Sequence, residues 1–308
     1  MGSGMKVVIV GLPMFTDRLR NGLSEFDAKS KYIRLDTYGS RMDQLKGLYH
    51  IPRADCLFSI NGTIKKSKAF DLAFKNNVPV VMNWVGTDVV RSIANFKNGD
   101  FLQSYIDNAI HLCEVSWIQE ELKEIGINAE ILNFACFEKR FDTVDIEENN
   151  QLTVLSYISE TRLEFYGIEA FLNLAQKFPD VQFKIAGAKA ESYEPLPSNV
   201  KALGWVKDMN AVFDEAHVCM RYTEHDGLSS FILEALARGK QVLYKNAYDH
   251  CLHCPDEEGL ESQLRKIKGL FDSGSLGINK KGIDFISTEF CKDEIYGNLT
   301  KKLKDIAK

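Results

Sequence analysis

Short apolar runs alternate with longer amphipathic stretches along almost the whole chain. The runs are rich in Val, Ile, Leu and Phe, which is typical of buried strands, whereas the stretches between them carry apolar residues at helical spacing. Such alternation predicts parallel sheets covered by helices, an α/β fold.

In the first half, the predicted strands are Lys6–Val10, Tyr32–Leu35, Cys56–Ile60, Val80–Asn83, Leu112–Val115 and Ala129–Ile131. The predicted helices between them include Thr16–Glu25, Ile64–Asn76 and Ser116–Ile125. A polar, aperiodic segment follows, Lys139–Gln151, and it predicts a linker.

The second half repeats the pattern, with predicted strands Leu152–Ile158, Val181–Ala186, His217–Arg221 and Gln241–Tyr244. The predicted helices are Tyr166–Phe178, Asp208–Glu215, Leu228–Arg238 and the tail Lys292–Lys308. Because 308 residues exceed what one core usually serves, we expect two domains, at residues 5–145 and 150–290, and a C-terminal helix at 291–308. The first four residues, MGSG, resemble an added tag, so Met5 is the expected native start.

Charge and cysteine usage narrow the classes of function. A net charge of −5 argues against a nucleic-acid-binding protein, which usually has a basic surface. The seven cysteines are scattered and mostly lie in apolar runs, as at Cys56, Cys113 and Cys219, which favours buried free thiols and a cytoplasmic location. Basic residues on the first two predicted helices, such as Arg18, Arg20 and Lys65, Lys66, Lys68, could contact anionic lipid at the inner membrane face, although scattered basic residues on an exposed helix are common.

The stretch Val218–Tyr244 combines a strand, a polar loop and a helix, and it offers a phosphate site. The predicted helix opens with Gly227, Leu228, Ser229 and Ser230, whose backbone N–H groups could bind a phosphate together with the helix dipole. Glu234 lies further along among apolar residues, where its carboxylate could accept hydrogen bonds from a ribose. The alternatives are that Asp226 caps the helix and that Glu234 forms an i,i+4 pair with Arg238.

This stretch resembles the donor-binding motif of glycosyltransferase family 4 and its GT-B relatives. Asp226-Gly227-Leu228-Ser229 and Glu234-Ala235-Leu236-Ala237-Arg238-Gly239 match the acidic residue, the glycine loop and the second Glu of that motif. Asp226 stands where the family has Glu, and Glu224 or His225 could replace it. The resemblance implies donor binding by these residues, with Asp226, Glu234 and Arg162 in the catalytic centre.

Other segments carry the same resemblance. Leu155–Gly167 corresponds to the family's strand, Arg and Lys-Gly, so Arg162 is expected to bind the diphosphate, and Tyr166 replaces the Lys. The loop after Val200–Val206 corresponds to part of the relatives' base pocket. Arg162 could instead pair with Glu160 or Glu164 on the surface.

In the first half, Val80–Arg91 is similar to a Trp-x-Gly-Thr-Asp stretch that faces the cleft in relatives. Asn83, Gly86, Thr87 and Asp88 are therefore acceptor-side candidates, while Thr87-Asp88 as a simple helix cap is nearly as plausible. No Gly-x-Gly-x-x-Gly follows the first strand, so a nicotinamide cofactor is not expected. His250-Cys251-Leu252-His253-Cys254 has metal-ligand residue types, but they are too close together to surround one tetrahedral ion, so no metal site is expected.

The resemblance implies a GT-B fold with two Rossmann-like doubly wound domains facing a central cleft and a C-terminal helix packed back on the N-terminal domain. It also implies an enzyme of the hexosyltransferase type that uses a nucleoside-diphosphate sugar, with retention at the sugar, no cofactor and no metal, in polysaccharide biosynthesis or a related transfer. The acceptor could be a glycan, a lipid-linked sugar or a small molecule. The alternatives are a catalytically silent GT-B protein that binds sugar nucleotides or serves as a partner subunit, and a nucleotide-sugar epimerase.

Overall fold

The computed structural model describes residues 4–136, 151–193 and 195–307, and they form two compact units. The first unit contains the described residues up to Cys136, the short segment Asp226–Leu228 and the C-terminal residues from Phe290. The second contains the described residues from 151 to His225 and Ser229–Glu289. The predicted linker lies outside the described residues except for Gln151.

The first unit is built on a six-stranded parallel sheet in the order β2-β1-β3-β4-β5-β6. Helices cover both faces, so the central strands are buried along their whole length and consist largely of apolar residues. Its strands are β1 (Lys6–Gly11), β2 (Lys31–Arg34), β3 (Cys56–Ile60), β4 (Val80–Trp84), β5 (Ile110–Cys113) and β6 (Glu130–Ile131). Its helices are α1 (Pro13–Phe26), α2 (Arg41–His50), α3 (Lys68–Lys75), α4 (Thr87–Lys97), α5 (Gln103–Asn108) and α6 (Ser116–Lys123).

The second unit has its own six-stranded parallel sheet, in the order β12-β11-β10-β7-β8-β9. Its strands are β7 (Thr153–Ile158), β8 (Gln182–Gly187), β9 (Val200–Gly204), β10 (Val218–Arg221), β11 (Gln241–Tyr244) and β12 (Leu252–His253). Its helices are α7 (Ile168–Lys177), α8 (Met209–Asp214), α9 (Ser230–Ala237), α10 (Glu257–Asp272) and α11 (Lys280–Glu289). Successive strands are added on one side of β7 up to β9 and on its other side from β10 onward, so the strand order switches between β7 and β10. Ligands of such sheets bind at the carboxyl ends of the strands at this switch point.

The last helix, α12 (Lys292–Ile306), belongs to the first unit and packs on α1. Its buried face includes Ile295, Leu299 and Leu303. Gly22 on α1 makes room for it, since a Cβ there would lie 2.1 Å from the hydroxyl oxygen of Tyr296. The expected packing of the C-terminal helix on the N-terminal domain is confirmed.

Several predicted helices begin later than the sequence pattern suggested. The helix predicted at Ile64–Asn76 begins at Lys68, so Lys65 and Lys66 do not lie on it. The helix predicted from Tyr166 begins at Ile168, because Gly167 adopts a left-handed conformation with φ 74° just before it. Helix α2 was not predicted, because its apolar residues do not face the protein core.

Candidate functional site

A pocket of about 220 Å³ lies at the carboxyl ends of β7 and β8 in the second unit. The strands contribute Tyr157, Ala186 and Gly187, at or near their last residues. The rest of the wall comes from the loop after β9 and from helices α8 and α9, namely Trp205, Val206, Met209, Phe213, Phe231 and Glu234. This is the edge of a doubly wound sheet at which ligands bind.

Glu234 is the one carboxylate in this pocket wall. Helix α9 buries Ile232, Leu233 and Leu236 against the core, and Glu234 remains partly exposed on its other side. Arg238, one turn further on, is almost fully buried and has its guanidinium 3.6 Å from a Glu234 carboxylate oxygen. It also donates to Asn210 Oδ1 at 2.6 Å, which fixes it in place. The predicted i,i+4 pair is therefore present, and Glu234 also faces the pocket.

Aromatic side chains form the apolar part of the pocket. Trp205 is 79% exposed, although exposing a large apolar side chain to water is unfavourable. Phe213 and Phe231 pack against each other with their ring centroids 5.3 Å apart. Flat, apolar surface of this kind is suited to the face of a nucleobase. Sequence reasoning placed a base pocket near this loop but did not identify Trp205, since a single aromatic residue in a loop has no periodicity.

The loop that carries Arg162 is fixed against the loop that follows β10. The amide of Glu224 donates to the carbonyl of Phe165 at 2.8 Å, and a Cβ on Gly167 would lie 2.0 Å from the carbonyl oxygen of Tyr222. Arg162 is exposed and stacks on Phe165 at 3.6 Å. In the described part of the chain it forms no ion pair with Glu160 or Glu164, so the alternative of a surface pair is wrong.

A second guanidinium that the sequence analysis did not single out lies beside Tyr166. Arg221 ends β10, is 8% exposed and stacks over the Tyr166 ring at 4.9 Å. Tyr157 packs edge-on against Tyr166 with centroids 5.8 Å apart. Burial and the neighbouring Tyr166 raise the pKa of Tyr157, and the positive charge of Arg221 partly opposes that rise. Arg221 therefore places a positive charge beside Tyr166.

The predicted phosphate loop begins before the helix itself. Helix α9 begins at Ser230, with Ser229 as the N-cap residue, so Asp226 is not the cap. Asp226–Leu228 groups with the first unit, where the Asp226 carbonyl accepts a hydrogen bond from Trp117 Nε1 at 2.8 Å. A Cβ on Gly227 would lie 2.1 Å from the Val85 carbonyl oxygen, so protein backbone fills the space that the sequence analysis reserved for a ligand at Gly227. His225 is half-buried just before this segment.

The four acceptor-side candidates lie at the carboxyl end of β4 and the start of α4. Asp88 is buried and accepts hydrogen bonds from the amides of Gly62, Val85, Gly86 and Val89. Burial raises the pKa of Asp88, and these amide donors oppose the rise. Asn83 is fully buried, Gly86 is the N-cap residue with φ 134°, and Thr87 is exposed. Asp88 thus has a local structural role through these amides, but the N-cap residue is Gly86 rather than Thr87 or Asp88. Thr87 is the exposed side chain of the four.

A buried carboxyl follows β5 in the first unit. Glu114 accepts a hydrogen bond from the backbone amide of Phe134 at 3.4 Å, and burial raises its pKa to about 8. The sequence offered no signal for it, because a single Glu after a strand is common in loops.

The cluster at His250–Cys254 is not assembled around a common point. Cys254 is fully buried with its thiol on the Leu252 carbonyl oxygen, whereas His253 is exposed. Burial raises the pKa of Cys254 to about 11 and that of Cys251 to about 12, which disfavours the thiolates that bind metal. Among the described residues, no group of three His, Cys, Asp or Glu side chains could hold a metal ion.

A comparison with protein families matches the part of the chain that forms the pocket of the second unit. Residues 157–260 match the family model described as glycosyl transferases group 1, a range that contains Arg162, Glu234 and every residue that lines the pocket. A comparison with curated proteins finds no significant match.

Solved structures match over nearly the full chain. HepE from Anabaena, in complex with UDP and glucose, has a TM-score of 0.70 at 13% identity over 98% of this chain and 100% of its own. A glycosyltransferase from Rickettsia africae has a TM-score of 0.72 at 12% identity over 100% of both chains. Sucrose-phosphate synthase from Thermosynechococcus elongatus has a TM-score of 0.69 at 12% identity over 98% of this chain and 99% of its own. The chain therefore has the GT-B fold, and its residues 157–260 match the family model of the glycosyl transferases group 1.

Proposed function

We propose that this protein transfers a sugar, a hexose in the first instance, from a nucleoside-diphosphate sugar to an acceptor hydroxyl. The observation that carries the proposal is the pocket of the second unit, in which Glu234 faces the same space as the exposed Trp205 at the carboxyl ends of β7 and β8. A base, a ribose and a diphosphate need an aromatic surface, a hydrogen-bond acceptor and cations. The pocket wall supplies the first two, and the cation Arg221 stacks on Tyr166, which packs against Tyr157 of the wall.

The base would lie against Trp205 and Phe231, and its ribose hydroxyls would donate to Glu234. The Arg238 guanidinium lies 3.6 Å from that carboxylate and donates to the Glu234 backbone carbonyl, and the ion pair limits the freedom of the Glu234 side chain. The diphosphate would then reach Arg162, Arg221 and the first amides of α9 at Ser230.

The chemical step breaks the bond between the sugar C1 and the diphosphate oxygen and forms a bond from C1 to the acceptor oxygen. The acceptor proton passes to the departing phosphate, and configuration at C1 is retained. Cationic side chains and helix amides stabilise the charge that grows on the leaving group. The chain contains no Asp-x-Asp for a divalent cation, so we propose that these groups act without an essential metal.

UDP-glucose is the first donor to test, because the Anabaena HepE structures contain UDP with glucose and UDP-glucose. Glycans and lipid-linked sugars are the first acceptors to test, as in cytoplasmic polysaccharide biosynthesis. Thr87, with the nearby Gly86, is the first acceptor-side residue to change, because its side chain is exposed.

Substitution of Arg221 tests whether this residue binds the diphosphate rather than the nucleoside. We expect Arg221→Met to weaken UDP by about tenfold or more while leaving uridine affinity nearly unchanged, because a charge-assisted contact to phosphate is lost. Arg221→Lys, which keeps the charge, should recover part of the UDP affinity. Equal losses for uridine and UDP in Arg221→Met would show that Arg221 only supports the pocket wall.

Calorimetric titration with UDP-, GDP- and ADP-sugars, followed by a turnover assay with the tightest donor, tests the function itself. Donor binding with sugar transfer supports it. Donor binding without hydrolysis or transfer would favour a catalytically silent sugar-nucleotide-binding protein, and no binding to any donor would contradict both.

A further inference from the structure

A larger pocket of the first unit lies at the edge of the sheet where strands β4 and β5 begin. Its volume is about 580 Å³, and its walls come from helix α3, the loop before β4 and helix α5. Its polar and aromatic lining consists of Asp71, Phe74, Asn77, Ser104, Tyr105 and Asn108. The acceptor-side candidates lie at the carboxyl end of β4, which is the opposite edge of the same sheet, so this pocket is separate from them.

A buried tyrosine joins the two helices of this pocket. Tyr105 on α5 is 2% exposed, and its hydroxyl donates to Asp71 Oδ1 at 2.6 Å and accepts from the Ser67 amide at 3.0 Å. Its ring packs on those of Phe70 and Phe74, with centroids 5.7 and 5.5 Å away. Burial raises the pKa of Tyr105, and the hydrogen bond to Asp71 raises it further, so the hydroxyl stays a donor. The Asp71 carboxylate and the Phe74 ring are therefore held in place without a ligand.

The polar side chains of the pocket keep unused hydrogen-bonding capacity. Asp71 forms no ion pair with any residue that the structure describes, so its second carboxylate oxygen is open to a ligand. Asn108 donates one side-chain N–H to the Ser104 carbonyl at 2.8 Å, which leaves its amide oxygen open as well. Asn77 is exposed on the same wall. The pocket thus offers one fixed acceptor and two amides that can both donate and accept.

This set of groups matches a neutral sugar better than an ion. No Lys or Arg is among the residues that line the pocket, so a phosphate or a carboxylate would lack a cation. No three metal ligands are assembled here among the described residues. The hydroxyls of a sugar can donate to Asp71 and exchange hydrogen bonds with the amides. The apolar C–H face of its ring can pack on Phe74, which is only half-buried.

We propose that this pocket binds a segment of a neutral oligosaccharide. Phe74 would contact the face of one sugar ring, Asp71 would accept from its hydroxyls, and Asn77 and Asn108 would bind hydroxyls nearer the rim. The volume of the pocket lies in the range of small-molecule sites, roughly 300–1,000 Å³. The inference does not rest on the proposed transfer, since the pocket can bind a glycan whether or not the second unit binds a donor.

The test is calorimetric titration of the full chain, without nucleotide, with maltohexaose, cellohexaose and chitohexaose, and with uridine as a neutral ligand of another class. We expect at least one hexasaccharide to bind, with an affinity that added salt does not lower, because the ligand is uncharged. Asp71→Asn keeps an acceptor for Tyr105 but removes the charge, and it should weaken this binding by about tenfold or more. Phe74→Leu, which removes the flat ring, should weaken it by about threefold or more.

Asp107→Asn is the matched control, because Asp107 is an exposed acid on α5 that does not line the pocket. It should bind the hexasaccharide like the unchanged chain. Thermal unfolding checks that every variant is folded, and UDP affinity should be the same in all of them. The proposal is overturned if no hexasaccharide binds, or if Asp71→Asn and Asp107→Asn have the same affinity. It is also overturned if uridine binds and Asp71→Asn abolishes that binding. Failure of the unchanged chain to bind UDP would contradict the proposed transfer alone.

Discussion

Glu114 illustrates how burial changes the chemistry of one residue without any sequence signal. It lies after β5 with its carboxyl on backbone amides, and no cation is among the causes of its pKa shift. Burial therefore dominates and favours the neutral acid, with a pKa of about 8 against an ordinary value of 4.5.

This shift predicts how stability depends on pH. Between about pH 4.5 and pH 8 the folded state holds a proton on Glu114 that the unfolded state releases, so this residue lowers the free energy of unfolding as pH rises through that window. Glu114→Gln, which cannot ionise, should remove this contribution. Urea unfolding at both ends of the window should show the variant gaining on the unchanged chain at the higher pH. An identical pH dependence in both proteins would contradict the assignment.

At the scale of elements, one glycine sets the distance between the Arg162 loop and the loop after β10. Gly167 combines a φ of 74° with a Cβ position 2.0 Å from the Tyr222 carbonyl oxygen. A side chain there would both strain the backbone and separate the Arg162 loop from the loop after β10.

Gly167→Ala is therefore expected to cost at least about 1–2 kcal/mol of unfolding free energy, and to weaken UDP binding because the loops move apart. Gly269→Ala is the matched control, since that helical glycine has no atoms within 4 Å of its Cβ position and should gain up to about 1 kcal/mol. Chemical denaturation measures both. A Gly167→Ala protein as stable as the control would show that the loops tolerate separation.

The secondary-structure elements also show how much of the fold and of the candidate site the sequence could predict. Buried strands such as β3 and β4 were predicted because both faces of a parallel sheet are apolar. Helix α2 was not, because its apolar residues face outward. Trp205 was not, because a single aromatic residue in a loop has no periodicity, and Arg221 was not, because its role depends on its contact with Tyr166 in another loop. Glu234 could be singled out because it is a lone acid in an apolar helix within a motif of fixed spacing.

At the scale of the whole molecule, the two units have separate cores, and the C-terminal helix completes the first of them. Leu299 on α12 is 1% exposed although it lies near the end of the chain. The last residues are therefore part of the folded N-terminal unit rather than an appendage.

Leu299→Ala should cost about 2–5 kcal/mol, because it leaves a cavity between α12 and the rest of the first unit. Leu270→Ala, at an exposed position of α10, should change stability by no more than about 0.5 kcal/mol. Hydrogen exchange should show faster exchange in strands β1 to β5 for Leu299→Ala, with the strands of the second unit less affected. Equal acceleration in both units would contradict separate cores.

The pairing of Glu234 with a ribose is the central claim, and it is tested most directly by titrating the unchanged chain and Glu234→Ala with UDP and with 2′-deoxy-UDP. The unchanged chain should prefer UDP by about tenfold, because a carboxylate that accepts from a hydroxyl is worth about 1.5–3 kcal/mol, and Glu234→Ala should bind both ligands equally and weakly. An undiminished preference for UDP in Glu234→Ala would contradict the account.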